Sequence, residues 1–121
     1  MTKTVLIVDD VITERKHLRK MLEADGYKVI EADNGDVGYK MAEEQMPDLV
    51  LMDVVMPTSG FAATRLLKKN PKTAKIPVCM VTSLNKEPDR ENATENGAFA
   101  YLVKPASPAA LAVVLKKVFT D

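Results

Sequence analysis

The sequence predicts an α/β protein, a doubly wound parallel sheet of five strands with helices on both faces. Short apolar runs alternate with longer segments of helical periodicity, five times over. The runs at 4–8, 48–52 and 76–81 are almost wholly apolar, as strands buried on both faces of a parallel sheet must be. The segments between runs are long enough to hold the crossover helices that right-handed parallel connections require.

Taken in order, TVLIV (4–8) is the first strand. Thr13 is the expected cap of the first helix, whose Leu18, Met21 and Leu22 share one face before Asp25 and Gly26 stop it. YKVIEA (27–32) is the second strand, and Asn34 caps a helix running to about Glu44. DLVLM (48–52) is the third strand, followed after Gly60 by a helix with Phe61, Leu66 and Leu67 turned inward.

IPVCMV (76–81) is the fourth strand. The fourth helix, about Glu87 to Asn96, has almost no apolar face: KEPDRENATEN carries four acids and two bases, so weak anchoring, exposure and mobility are expected. FAYLV (99–103) is the fifth strand. The last helix opens at Ser107 with Pro108 in its first turn and Leu111, Val114, Leu115 and Val118 as its stripe.

At 121 residues this is one domain, 1–121, with 46% hydrophobic and 28% charged residues. Seventeen basic side chains balance seventeen acidic ones, which argues against an electrostatic nucleic-acid or anionic-membrane binder. The one cysteine, Cys79, lies inside PVCMV and reads as a core thiol in a reducing compartment. No apolar run reaches the ~18 residues of a membrane span, and MTKTVLIV enters a strand without a leader pattern, so a cytoplasmic protein with no membrane insertion is expected. His17, among Lys16, Arg19 and Lys20, is expected on a solvated face, and Met21, Met41, Met52 and Met80 are expected as core filler.

Doubly wound sheets bind ligands outside the carboxyl ends of their strands. Asp9 and Asp10 follow the first strand there, Asp53 the third, Thr82 and Ser83 the fourth, and Lys104 the fifth. Like charges ~4 Å apart repel by about 4 kcal/mol at an effective dielectric near 20, so three carboxylates against one ammonium imply a cation. Oxygen ligands on loops favour Mg²⁺. A carboxylate beside such an ion, with a lysine and a hydroxyl converging, is equipped for phosphoryl transfer, and Asp53, standing singly on the central strand, is the candidate nucleophile.

LIVDD, LMDVVMP, MVTS and YLVKP, in that order along nearly the whole chain, resemble the receiver domains of two-component response regulators, the CheY-like family. LMDVVMP and GFAATR resemble most the subgroup that regulates type IV pilus twitching motility. The resemblance implies a flavodoxin-like (βα)5 fold with strand order 2-1-3-4-5. It implies phosphorylation of Asp53 by a sensor histidine kinase, with Mg²⁺ on Asp10, Asp9, Asp53 and the backbone carbonyl of Val55. Lys104 would pair with the phosphoryl group, Thr82 would move its hydroxyl onto it, and Tyr101 would swing inward behind Thr82.

The fourth helix, fifth strand and fifth helix would then change their contact with a downstream protein target. A monomer or weak dimer, a cis peptide before Pro105 and no enzymatic turnover are further expectations from the resemblance. The chain departs from the pattern in one place: only Thr58 and Ser59 separate Met56–Pro57 from Gly60, one residue fewer than usual, which puts the loop path in doubt. Apolar Val55 and Leu84 flank the route of hydrolytic water in relatives, so self-dephosphorylation over minutes or longer is expected, and loss of the label within seconds would contradict it.

Three rivals are weaker. A haloacid dehalogenase-like phosphatase wants a second aspartate two residues after the nucleophile, where this chain has Val55. A flavodoxin-like FMN carrier wants a Ser/Thr/Gly-rich phosphate cradle after the first strand, where this chain has DDVITE. A phosphorylation-independent scaffold would not need the acids and lysine.

Overall fold

The computed structural model describes residues 2–119; Met1, Thr120 and Asp121, the ends of the span 1–121, lie outside the described residues. Five strands and five helices alternate: β1 (Thr4–Val8), α1 (Ile12–Ala24), β2 (Lys28–Ala32), α2 (Gly35–Gln45), β3 (Leu49–Met52), α3 (Gly60–Lys69), β4 (Val78–Thr82), α4 (Glu87–Glu95), β5 (Ala100–Val103) and α5 (Pro108–Phe119). The strands are parallel in the order β2-β1-β3-β4-β5, the expected topology.

Strand alternation sorts the core into two layers. Leu6, Val8, Val50, Met52, Val78 and Met80 point one way, onto Ala42 of α2, Ala63 and Leu67 of α3 and Ala93 of α4. Val5, Ile7, Leu49, Leu51, Cys79 and Val81 point the other way, onto Leu18 and Leu22 of α1 and Leu111, Val114 and Leu115 of α5. Each large side chain so buried contributes roughly 1.5–3 kcal/mol. β1, β3 and β4 are inside on both faces, while β2 and β5 are the partly open edges. Cys79 is a fully buried free thiol, and burial pushes its pKa up to about 12.

Several local expectations need correction. The residue capping α1 is Val11, not Thr13: the Val11 carbonyl accepts from the Glu14 and Arg15 amides, so the helix starts ahead of Thr13. Leu66 is 48% exposed rather than inward, because the buried face of α3 runs through Gly60, Ala63, Thr64 and Leu67. His17 lies on an exposed part of α1, yet its Nε2 is 3.1 Å from the Ala106 carbonyl, tying α1 to the loop after β5. The Asn34 cap is present, its side chain accepting from the Val37 amide, and Ser107 similarly accepts from the Ala110 amide. In α4 only Ala93 is buried, so the missing apolar face is a feature of the fold.

Candidate functional site: an acid pocket at the strand ends

β1, β3, β4 and β5 end along one carboxyl edge, and side chains that follow β1, β3 and β5 meet there. Asp9 and Asp53 are buried and Asp10 is exposed, yet one carboxylate oxygen of each lies within 4.8 Å of the others. Lys104 reaches in from the end of β5, its Nζ 2.6 Å from Asp9 Oδ2 and 3.1 Å from Asp53 Oδ2. The peptide bond from Lys104 to Pro105 is cis, as the resemblance implied.

Each acid is held differently. Asp53 Oδ1 accepts from the amides of Val54 at 2.7 Å and Val55 at 3.4 Å, which leaves Oδ2 facing Lys104 and the pocket. Asp9 Oδ1 accepts from the Val11 amide at 2.9 Å. Burial pushes the Asp9 carboxyl up and outweighs the lowering by the Lys104 and Val11 hydrogen bonds, with the neighbouring Asp53 charge also raising it. Burial works against the charge on Lys104, but its hydrogen bonds to Asp9 and Asp53 prevail and its pKa is raised. The ammonium is therefore the pocket's fixed charge, and the acids outnumber it.

Gly60 is the reason that α3 can begin so close to Asp53. A Cβ there would stand 1.9 Å from the Asp53 carbonyl oxygen. The Gly60 amide donates to the Val54 carbonyl at 3.0 Å, and the Thr58 hydroxyl donates to Asp36 of α2 at 3.1 Å. Val55 is turned out, 57% exposed.

Thr82 differs from expectation in belonging to β4 itself, as its last, fully buried residue, because the β4–β5 ladder continues to Thr82–Val103. Its hydroxyl accepts weakly from the Leu84 amide, at 3.4 Å. Tyr101 of β5 donates its hydroxyl to the Leu84 carbonyl at 2.7 Å, and the Arg90 guanidinium of α4 stacks 4.9 Å from its ring centroid. The structure thus gathers Asp9, Asp10, Asp53 and Lys104 into one pocket and sets Thr82 and Tyr101 on the neighbouring strands.

Two sets of contacts were not anticipated. Arg15 of α1 donates from NH1 to the Asp9 carbonyl at 2.7 Å and from Nε to Glu31 Oε1 at 2.9 Å, while Arg19 donates to the other Glu31 oxygen. Glu31 follows the apolar pair Val29 and Ile30 in β2, and Arg15 and Arg19 are spaced i, i+4, a signal that was available in the sequence. The Arg90–Tyr101 stack left no such trace.

Fold and pocket together define a class: a doubly wound parallel domain whose strand ends present clustered acids and a lysine. The chain belongs to the response regulator receiver domain family of two-component signalling, whose family model matches residues 5–116. It is 47% identical over 102 residues to Protein PilH of Pseudomonas aeruginosa, covering 84% of each chain. Among solved structures it is similar to chemotaxis protein CheY4 of Vibrio cholerae, with a TM-score of 0.91 and 28% identity over 98% of this chain and 100% of that one. It is also similar to the receiver domain of a sensor histidine kinase from P. aeruginosa PAO1, with a TM-score of 0.91 and 29% identity over 100% of both, a structure with a magnesium ion coordinated in its active-site cleft. Among the described residues no helix is long and apolar enough to cross a membrane.

Proposed function

We propose that this chain is a phosphorylation switch in which Asp53 accepts a phosphoryl group from a sensor histidine kinase and the α4–β5–α5 surface carries the signal to a protein target. The observation that carries the reading is the convergence of Asp53 Oδ2 and Asp9 on one lysine at the strand ends, with the Asp10 carboxylate clustered beside them. The donor set suits Mg²⁺: all oxygen, with more acid than base, in one cluster. Asp9, Asp10 and Asp53, with the Val55 carbonyl, would hold it, and a bound dication would supply charge neutralisation for the phosphoryl oxygens.

The residues of the chain then divide the work. Asp53 Oδ2, the oxygen left free by the Val54 and Val55 amides, attacks phosphorus. A P–O bond of the resulting acyl phosphate forms as the P–N bond of phosphohistidine breaks, and the electron pair leaves on the imidazole. Lys104 keeps its charge and passes from Asp53 to a phosphoryl oxygen. The product carries a charge of roughly −1.5 to −2 on the phosphoryl group in place of the single charge of the carboxylate, next to Thr82 on the adjacent strand. If the Thr82 hydroxyl turns to that group it gives up the Leu84 amide, and Tyr101 can leave the Leu84 carbonyl, so that α4 loses its Arg90–Tyr101 tie.

The chain acts as a switch rather than an enzyme with turnover, since Val55 stands where a phosphatase of the haloacid dehalogenase type needs its acid. The motifs LMDVVMP and GFAATR and the similarity to PilH support a place in type IV pilus twitching motility. The span 1–121 is then one receiver domain, acting in the cytoplasm as a monomer or weak dimer. Incubation with acetyl phosphate and Mg²⁺, followed by intact mass, tests the reading: a gain of one phosphoryl group is expected for the native chain and none for Asp53→Asn. A gain in both, or in neither, overturns it.

A further inference from the structure

Arg15 makes two contacts that are unusual for a side chain on an outer helix. One hand of its guanidinium is on the Asp9 carbonyl, and the Nε edge is on Glu31, whose second oxygen is occupied by Arg19. Arg15 is mostly covered, with its side chain 15% exposed, so its fork is fixed at both prongs.

The Asp9 carbonyl and the Asp10 amide belong to one planar peptide unit. Asp9 is already held on both carboxylate oxygens, by the Val11 amide and Lys104. Asp10 is exposed, and its carboxylate meets no donor among the described residues. Asp10 is thus oriented through the two peptide units that flank it: the one after it is held by the Val11 amide on Asp9 Oδ1, and the one before it is pinned by Arg15. From this geometry we infer that Arg15, steadied by Glu31, is a positioning residue that aims Asp10 into the acid pocket and so sets the pocket's affinity for Mg²⁺. The inference rests on the reading of the pocket as a Mg²⁺ site.

Charge and position predict opposite signs. Arg15→Ala removes a positive charge close to a cation site, which by Coulomb's law alone tightens Mg²⁺ binding. Loss of positioning weakens it, by about tenfold or more when an outer partner of a ligand is lost. Arg15→Lys keeps the charge and most of the stem but lacks the planar fork that spans Glu31 and the Asp9 carbonyl.

The test is a Mg²⁺ titration of the native chain, Arg15→Ala and Arg15→Lys, followed by the amide NMR shifts of Asp10 and Val11 at a temperature where all three are folded. The expected result is an Mg²⁺ Kd raised at least about tenfold in Arg15→Ala and raised in Arg15→Lys as well. An unchanged or tighter Kd in Arg15→Ala overturns the inference, and should that variant fail to fold, an unchanged Kd in Arg15→Lys does so. A native chain that takes up no Mg²⁺ overturns both this inference and the reading of the pocket. A native chain that binds Mg²⁺ and is phosphorylated, beside variants that bind equally well, overturns only the role of Arg15.

Discussion

The ammonium of Lys104, at the end of the edge strand β5, lies 2.6 Å from Asp9 Oδ2 at the end of β1, with β3 and β4 between the two strands in the sheet. The same nitrogen lies 3.1 Å from Asp53, which follows β3. One cation thus holds two buried carboxylates together, and both the stability of the fold and the chemistry of the pocket pass through it.

Lys104→Ala leaves Asp9 and Asp53 buried side by side without a counter-charge. Breaking a buried ion pair on one side costs about 3 kcal/mol or more. A ligand at a hundred times its Kd returns about 2.7 kcal/mol. Thermal unfolding in chelator and in excess Mg²⁺ is therefore expected to show a variant less stable than the native chain, with a larger Mg²⁺-induced rise in Tm. Equal rises in the two proteins would count against a shared pocket.

Gly60 is the point at which fold and site are hardest to separate. A methyl group at this position meets the Asp53 carbonyl at 1.9 Å, so Gly60→Ala must push the start of α3 away from the Asp53 backbone. The expected cost is about 1–3 kcal/mol in denaturant unfolding, with slower labelling by acetyl phosphate in the folded fraction. A variant with native stability and native labelling would show that the loop yields freely.

The Arg90–Tyr101 stack is one of few ties between α4 and the sheet, beside the single buried Ala93. Arg90→Ala is expected to speed amide hydrogen exchange in α4 and in the loop around Leu84, and to leave β1 and β3 unchanged. Unaltered exchange in α4 would remove this stack from the account of the switch.

Glu31 contributes to acid sensitivity. Burial alone would raise its pKa, but the hydrogen bonds from Arg19 and Arg15 outweigh it and hold the carboxyl below the ordinary value. A carboxylate lowered in the folded state stabilises the fold above its unfolded pKa, near 4.3, and that contribution is lost as the pH falls through the lower folded value. The Tm difference between the native chain and Glu31→Gln is expected to be largest above about pH 5 and to close as the pH falls below 4. A difference that does not vary with pH would mean that the ion pairs contribute nothing.

The architecture was readable because apolar period and length decide it: β1, β3 and β4 could only be buried strands, and their carboxyl ends then had to share an edge. The acids and Lys104 followed from that placement. What could not be read was local. Thr13 looked like a cap because hydroxyls cap helices, but the Val11 carbonyl had already begun the turn. Leu66 looked inward because Leu usually is, although the three-to-four spacing from Gly60 selects Ala63, Thr64 and Leu67. Arg15 and His17 reach the backbone carbonyls of Asp9 and Ala106, a class of partner that side-chain patterns do not encode.

The central claim is that an acyl phosphate forms on Asp53, and the most direct measurement is to locate it. Borohydride reduces an acyl phosphate on aspartate to homoserine, so the chain treated with acetyl phosphate and Mg²⁺ is reduced, digested and sequenced by mass. Homoserine at position 53 alone, absent when Mg²⁺ is chelated, is the predicted result. Homoserine at Asp9 or Asp10, or no conversion in Mg²⁺, would contradict the account.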